Sequence, residues 1–242
     1  MKLALISDVH GNLQALQSVL EDIGKVEFDR LLFLGDAVGY GANPNEVVRL
    51  INTECDACIM GNHDACALGQ TQIENFNSYA KQALEFTKST LDSESLQLIS
   101  EYGIIGRIDD ILFTHATPGR PTEWNYCISI VQAAREFERF DVQACFIGHS
   151  HFPMIFSRNG NENVGMLPPS DVNLKPDHKY LINVGSVGQP RDGDPRSCYV
   201  HFDTDTRELT YRRVSYDIES AQHAMKERGL PEYLIERLAR GK

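Results

Sequence analysis

Short apolar runs recur along the chain, and each ends abruptly in polar residues. Leu3 to Ser7 is the first, and a run that is apolar on both faces is typical of a strand whose sheet is covered by helices on both sides. Asn12 to Ile23 follows with Leu13, Leu16, Val19, Leu20 and Ile23 on one stripe, which predicts a helix. Leu31 to Leu34 and Ala57 to Met60 predict further strands. Pro44 to Ile51 predicts a helix between them, with Asn43 as its cap and Pro44 at its first position. The order βαβαβ implies parallel strands joined by right-handed crossovers. Helices are expected over Asn75 to Thr90, Ser93 to Tyr102 and around Val131 to Phe140, and strands over Ile111 to Thr114 and Ala144 to Ile147. After His151 the character changes. Met154 to Ser157, Lys179 to Val184, Ser197 to Phe202 and Leu209 to Val214 predict a second, more antiparallel sheet. Gly160 to Lys175 reads as a polar loop, and Ile218 to Arg240 as a helical tail. The expectation is a single α/β domain over residues 1–242, made of two mixed sheets packed together with helices outside. A short helical insertion is expected at about 70–103.

The residues just past the runs carry the chemistry. Asp8 and His10 lie in S-D-V-H-G-N, Asp36 in L-G-D-A-V-G-Y-G, Asn62 in M-G-N-H-D, His115 in F-T-H, and His149 and His151 in I-G-H-S-H. Ligands of an open α/β sheet bind beyond the carboxyl ends of its strands, so these residues should converge although they span nearly the whole first two thirds of the chain. Carboxylate, imidazole and one amide oxygen suit two borderline-hard divalent ions and not a thiolate zinc site. Asp36, central in this arrangement, is the best bridging carboxylate for an ion pair about 3.5–4 Å apart. Neighbouring glycines, Gly11, Gly35, Gly61 and Gly148, allow close backbone approach. Taken singly, D-x-H is weak, H-x-H is more often a surface pair, and G-N-H-D could be a turn. A structural explanation has to account for five of the eight histidines at the ends of separate buried strands, and it fails.

Composition narrows the function further. With 23 basic and 34 acidic residues the net charge is −11, which argues against a dedicated nucleic-acid surface. Two divalent ions would return roughly +4 locally, so the site could still attract phosphate. No run approaches membrane-spanning length, and the first apolar run is too short for a signal-peptide core. Six cysteines lack framework spacing, and Cys55 and Cys58, formally C-x-x-C, read as core thiols. A reducing, cytoplasmic compartment is expected.

The blocks D-x-H, G-D, G-N-H-D, H and G-H-S-H occur in the order seen in calcineurin-like metallophosphoesterases, which the chain resembles across nearly its whole length. The resemblance implies a four-layer αββα sandwich. It assigns Asp8, His10, Asp36 and His151 to one ion and Asp36, Asn62, His115 and His149 to the other. His63 resembles the family's histidine that contacts the phosphoryl group or protonates the leaving oxygen, and Asp64 could orient that ring. The implied reaction is in-line attack on phosphorus by a bridging hydroxide, with two divalent ions drawn from manganese, iron, zinc, nickel and magnesium, manganese favoured.

The second block departs from the protein serine/threonine phosphatases, which resemble G-D-x-V-D-R-G. Gly39 and Tyr40 stand where that branch has Asp and Arg, which weakens a protein-phosphatase activity. The G-Y-G form and the run Asn183 to Arg191 are more similar to small bacterial and archaeal phosphoesterases. Small phosphorylated molecules, as phosphomono- or phosphodiesters, nucleotides or dinucleoside polyphosphates, are the expected substrates. Arg191 is a candidate phosphate contact, and Tyr40 and Trp124 are read mainly as packing residues. A non-catalytic scaffold on the same fold is the alternative from a different class, and oligomer formation stays open.

Overall fold

The computed structural model describes residues 1–160 and 162–242. Two six-stranded mixed sheets form the centre. The first runs in the order β3 (Ala57–Cys58), β2 (Arg30–Phe33), β1 (Lys2–Ile6), β11 (Ser197–Asp203), β12 (Glu208–Val214), β9 (Val172–Asn173). The second runs β4 (Ile105–Ile108), β5 (Ile111–Thr114), β6 (Ala144–Ile147), β10 (His178–Asn183), β7 (Met154–Asn159), β8 (Gly165–Leu167). β1, β2 and β3 are parallel, as are β5, β6 and β10, and the other pairings are antiparallel.

Side-chain alternation in β1 shows how the layers stack. Leu3 and Leu5 face the second sheet and pack with Phe113, Phe146, Ile182 and Phe202. Ala4 and Ile6 face outward against α1 (Leu13–Ile23) and α2 (Pro44–Glu54), meeting Leu16, Val19, Val47 and Ile51. On the opposite face of the second sheet, Cys145, Ile147 and Leu181 pack against Phe137 and Ala133 of the region around α6 (Ile130–Glu136). These are the four layers expected. A run buried on both faces, as in β1, is what this arrangement demands.

The division of strands between sheets differs from the sequence reading. The strands of Ile111 and Ala144 do not extend the first sheet; they belong to the second. Those of Ser197 and Leu209 return to the first, where β11 pairs antiparallel with β1 in the register Leu3 to Phe202 and Leu5 to Val200. The runs of Ile111, Ala144 and Ser197 are all mostly buried, and the half-buried run of Leu209 carries Thr210, Arg212 and Arg213, so hydrophobicity could not say which sheet each joins. Within the expected loop over 160–175 the chain forms the short strands β8 and β9, and Asn161 lies outside the described residues. Asn12 caps α1 through its side chain, accepting from Ala15 N–H at 3.1 Å. Asn43 stands at the N-cap of α2 with Pro44 after it, as expected, but its side chain makes no capping bond and its Oδ1 is buried without a partner.

Two further groups of helices flank the carboxyl edge. α3 (Asn62–Ala67) begins at a candidate ligand. A 3₁₀ turn (Ile73–Asn75) leads into α4 (Ser78–Thr90), which is followed by α5 (Ser93–Ser100). α5 packs on α2, whereas Ala80 and Ala83 of α4 share a core with Tyr40 and with α7 (Ile218–Glu227) and α8 (Glu232–Leu238).

Candidate metal centre

Loops at the carboxyl ends of β1, β2, β5 and β6 bring Asp8, His10, Asp36, His115, His149 and His151 together, and the first turn of α3 adds Asn62 and His63. All eight are buried, none more than 8% exposed. Their backbones are unusual. Asp8, His10, Asp36, Tyr40, His149 and His151 all have φ between +51° and +66°. Left-handed backbone is costly for residues with a Cβ and persists where surrounding contacts enforce it, which is common at functional sites. Here the loops are laced to one another: Asp8 N–H donates to the Gly35 carbonyl at 2.9 Å, His10 N–H to Asp36 at 2.9 Å, and Gly11 N–H to Ala37 at 2.8 Å.

Each imidazole spends one nitrogen on a main-chain carbonyl. Nδ1 of His10 meets Val38 O at 2.9 Å, Nδ1 of His115 meets Leu34 O at 2.8 Å, Nδ1 of His151 meets Gln189 O at 2.6 Å, and Nε2 of His149 meets Trp124 O at 2.8 Å. A carbonyl only accepts, so the bonded nitrogen carries the proton, and in the neutral ring the other presents a lone pair. That is the arrangement by which metal-binding histidines are oriented. The carboxylates follow the same rule. One oxygen of Asp8 accepts from His149 N–H at 3.0 Å, and one of Asp36 from His63 N–H at 2.9 Å. Their other oxygens turn inward. Asp36 Oδ2 lies 3.3 Å from His115 Nε2 and 3.6 Å from His10 Nε2, and Asp8 Oδ1 lies 3.2 Å from His151 Nε2.

These donors fit divalent cations. Asp8 Oδ1 is buried with no hydrogen-bond partner. Nε2 of His10 and of His151 face each other at 3.1 Å, two lone pairs that repel unless a cation or proton is shared. Asp8, His10 and His151 form one group of converging donors, and Asp36, His115 and His149 another. Asn62 Oδ1 joins the second at 3.3 Å from His115 Nε2. Asp36 lies between the two groups, and it also forms a third with His10 and His63. Close approach at Gly61 makes room, since a Cβ there would sit 2.0 Å from Asp36 Oδ1.

Electrostatics without an ion are polarised. Burial pushes His149 down to about 3 and His63 down to about 4, and it also lowers His10 and His151. At His115 burial is outweighed by the Asp36 and Asp8 carboxylates, which raise it to about 9. Burial works against ionised Asp8 and Asp36 too, but the surrounding imidazoles hold both below the ordinary carboxylate range.

His63 is wrapped by aromatic rings: Tyr40 at 4.6 Å, His10 at 4.7 Å and Phe76 at 4.9 Å between centroids. Its Nδ1 is buried without a partner, and Gly39 lies directly against it. Asp64 makes no hydrogen bond to that ring. Its carboxylate instead accepts from the main-chain N–H of Asp36 at 2.8 Å, Gly61 at 3.0 Å and Val38 at 3.2 Å. Burial and the Asp36 charge raise it to about 7. The Asn183 to Arg191 run faces the site: Ser186 Oγ donates to Asp8 O at 2.8 Å, and Gly188 N–H to the same oxygen at 2.9 Å. Arg191 is half-buried with its guanidinium 5.7 Å from the Tyr40 ring centre. His178, His201 and His223 lie elsewhere, against Asp177, the Glu27 carbonyl and Glu227.

A cavity of about 340 Å³ opens beside this cluster, lined by Tyr40, Asn62, His63, Trp124, Tyr126 and His149 among others. Trp124 contributes its carbonyl to His149, and Tyr126 stacks on the same imidazole at 4.2 Å. Neither contact was readable in advance, because a carbonyl carries no sequence signal and Tyr126 lies outside every motif.

The calcineurin-like phosphoesterase superfamily domain matches residues 1–207, and the chain belongs to that superfamily. It is a metal-dependent phosphoesterase, a hydrolase with buried His/Asp clusters suited to metal. An uncharacterised protein of Methanocaldococcus jannaschii is 41% identical over 246 residues, covering 99% of this chain and 98% of its own length. The crystal structure of a metallophosphoesterase from Sphaerobacter thermophilus matches with a TM-score of 0.89 at 38% identity, over 100% of this chain and 99% of that one. A hypothetical protein from Pyrococcus horikoshii shares the fold, with a TM-score of 0.79 at 19% identity over 100% of this chain and 98% of its own.

Proposed function

We propose that the protein hydrolyses phosphomono- or phosphodiesters of small molecules, nucleotides included, at a two-ion centre. Asp8, His10, Asp36 and His151 would hold one ion, and Asp36, Asn62, His115 and His149 the other. The observation that carries this reading is the shared orientation of four imidazoles, each with one nitrogen tied to a carbonyl and the other turned onto the two carboxylates. When bound, two divalent ions supply a water of lowered pKa and neutralise charge on the phosphoryl oxygens. The mixed donor set suits manganese, the ion we favour.

The chain's own groups do the rest. Asn62 offers a neutral oxygen, which adds no charge to repel the arriving phosphate. His63, neutral by burial and lining the cavity, presents a ring N–H to the leaving oxygen. Arg191, set against Tyr40, reaches for the phosphoryl oxygens with its guanidinium. Asp64 is a positioning residue that ties the Asp36 loop to the start of α3. Residues 1–242 act as one domain in this reading, and the helical insertion at about 70–103 supplies Phe76 and Asn77 to the cavity wall.

The test compares initial rates on a phosphomonoester, a phosphodiester and a dinucleoside tetraphosphate, with manganese present and Asp36→Asn as the blank. Turnover of at least one, well above the blank, is expected. A folded, metal-loaded protein inactive on all three overturns the reading.

A further inference from the structure

On the far side of Tyr126 lies an open groove of about 560 Å³. Its floor is the segment that leaves His115, and α6 and the turn after it form its far wall. Glu123 and Tyr126 line both this groove and the metal-site cavity, so one ridge separates the two. The ridge is firm yet accessible: Tyr126 is 48% exposed and lies nearly parallel to His149, at 11°.

In a chain of net charge −11 the groove gathers Arg120, Arg135 and Arg139. Against these three arginines stand two acids, Glu123 and Glu136, which leaves one positive charge in excess. Glu123 pairs with Arg120 at 2.9 Å, and Glu136 Oε2 accepts from Gly119 N–H at 2.9 Å. Among the described residues, Arg135 and Arg139 form no ion pair. The Arg139 stem lies across Gly119, where a Cβ would sit 2.2 Å from Arg139 Cδ. A glycine therefore lets this arginine lie along the groove floor. Two unpaired guanidiniums in one groove favour an anion, which each can bind through charge-assisted hydrogen bonds.

We propose that this groove binds a second phosphate of the substrate, carried on the leaving side of the ester whose scissile phosphorus lies in the adjoining cavity. The proposal rests on the phosphoesterase reading of that cavity and deepens it: the substrate class becomes phosphoesters with a phosphorylated leaving group. Tyr126 is the ridge such a substrate crosses.

The metal-loaded full chain and an Arg135→Gln/Arg139→Gln double variant provide the test. Calorimetric titration with inorganic phosphate and with linear polyphosphates of increasing length needs no turnover. The wild type should bind longer chains more tightly, and the double variant should lose on the order of tenfold of that gain while its phosphate affinity is unchanged. In kinetics, the variant should raise KM on the order of tenfold for a leaving group bearing a second phosphate. Its kcat, and its KM for p-nitrophenyl phosphate, should match the wild type. Equal polyphosphate affinities in the two proteins overturn the assignment. Length-dependent binding that the variant loses, in a protein that turns over no ester, would uphold the groove and sink the phosphoesterase reading of the cavity.

Discussion

Asp64 holds three backbone amides on two oxygens, and that count gives it a sharper role than its place in G-N-H-D suggested. Replacing it by Asn leaves one acceptor oxygen and sets an NH₂ against a main-chain donor. Asp64→Asn should therefore cost about 1–3 kcal/mol, the price of an orphaned buried donor, and should weaken metal binding because both ligand loops hang from this residue. Thermal melts and metal content read the two effects separately. His63 differs, since its ring makes no hydrogen bond within the protein through Nδ1. His63→Ala should lower turnover by about 10²–10⁴-fold while the wild-type metal content is kept. Loss of an ion in that variant would make His63 a ligand instead, as its grouping with His10 and Asp36 would allow.

At the scale of elements, the site depends on two sheets holding their strand ends level. β1 and β2 deliver Asp8 and Asp36 from the first sheet, and β5 and β6 deliver His115 and His149 from the second. The packing between sheets sets the distance between those pairs. Phe146, fully buried and 5.4 Å from the Phe202 ring across the interface, is one of its largest side chains. Phe146→Ala should cost about 3–5 kcal/mol, read as a lower urea midpoint with an unchanged slope. The strands themselves were legible as apolar runs. Their partition was not, because β5, β6 and β11 are mostly buried runs of the same kind that only pairing partners distinguish, and the half-buried β12 follows β11 as its antiparallel neighbour. The three shortest strands outside the apolar runs, β3 aside, were missed for a related reason: β4, β8 and β9 are largely exposed or half-buried, and their edge positions ask little of their sequence.

For the whole molecule, burying so many imidazoles links metal, pH and stability. His10, His63, His149 and His151 are all held neutral in the metal-free fold, whereas the unfolded chain protonates them near pH 6.5. His63 and His149, lowered to about 4 and about 3, gain a proton only on unfolding between about pH 6.5 and pH 4, and His10 and His151 are shifted in the same direction, so each favours unfolding more as pH falls below about 6.5. Asp64, raised to about 7, opposes them, because its contribution is full at low pH and is lost as pH rises through that value. His115, raised to about 9, is protonated in both states below about pH 6.5; its contribution is lost only as pH rises through about 9. Four groups against one leave the metal-free protein acid-labile. The metal-free protein should therefore melt at a lower temperature at about pH 5 than at about pH 7, and a melting temperature that rises on acidification would contradict this. Saturating metal should raise the melting temperature at neutral pH, since ions bind the assembled site and not the unfolded chain.

The amino-acid sequence alone determined the existence of the apolar strands, the residue types at their carboxyl ends and, through those, the candidate ligands. Burial on both faces and the chemistry of Asp, His and Asn are local properties, and they survive in a string of letters. Only the tertiary structure decided which nitrogen of each histidine faces inward, that Asp64 supports loops and not the His63 ring, and that Tyr126 divides two spaces. Those outcomes depend on main-chain carbonyls and amides that every residue possesses, so no side-chain pattern can announce them. They are set by where distant segments meet, as when the Trp124 carbonyl reaches His149 and the Gln189 carbonyl reaches His151.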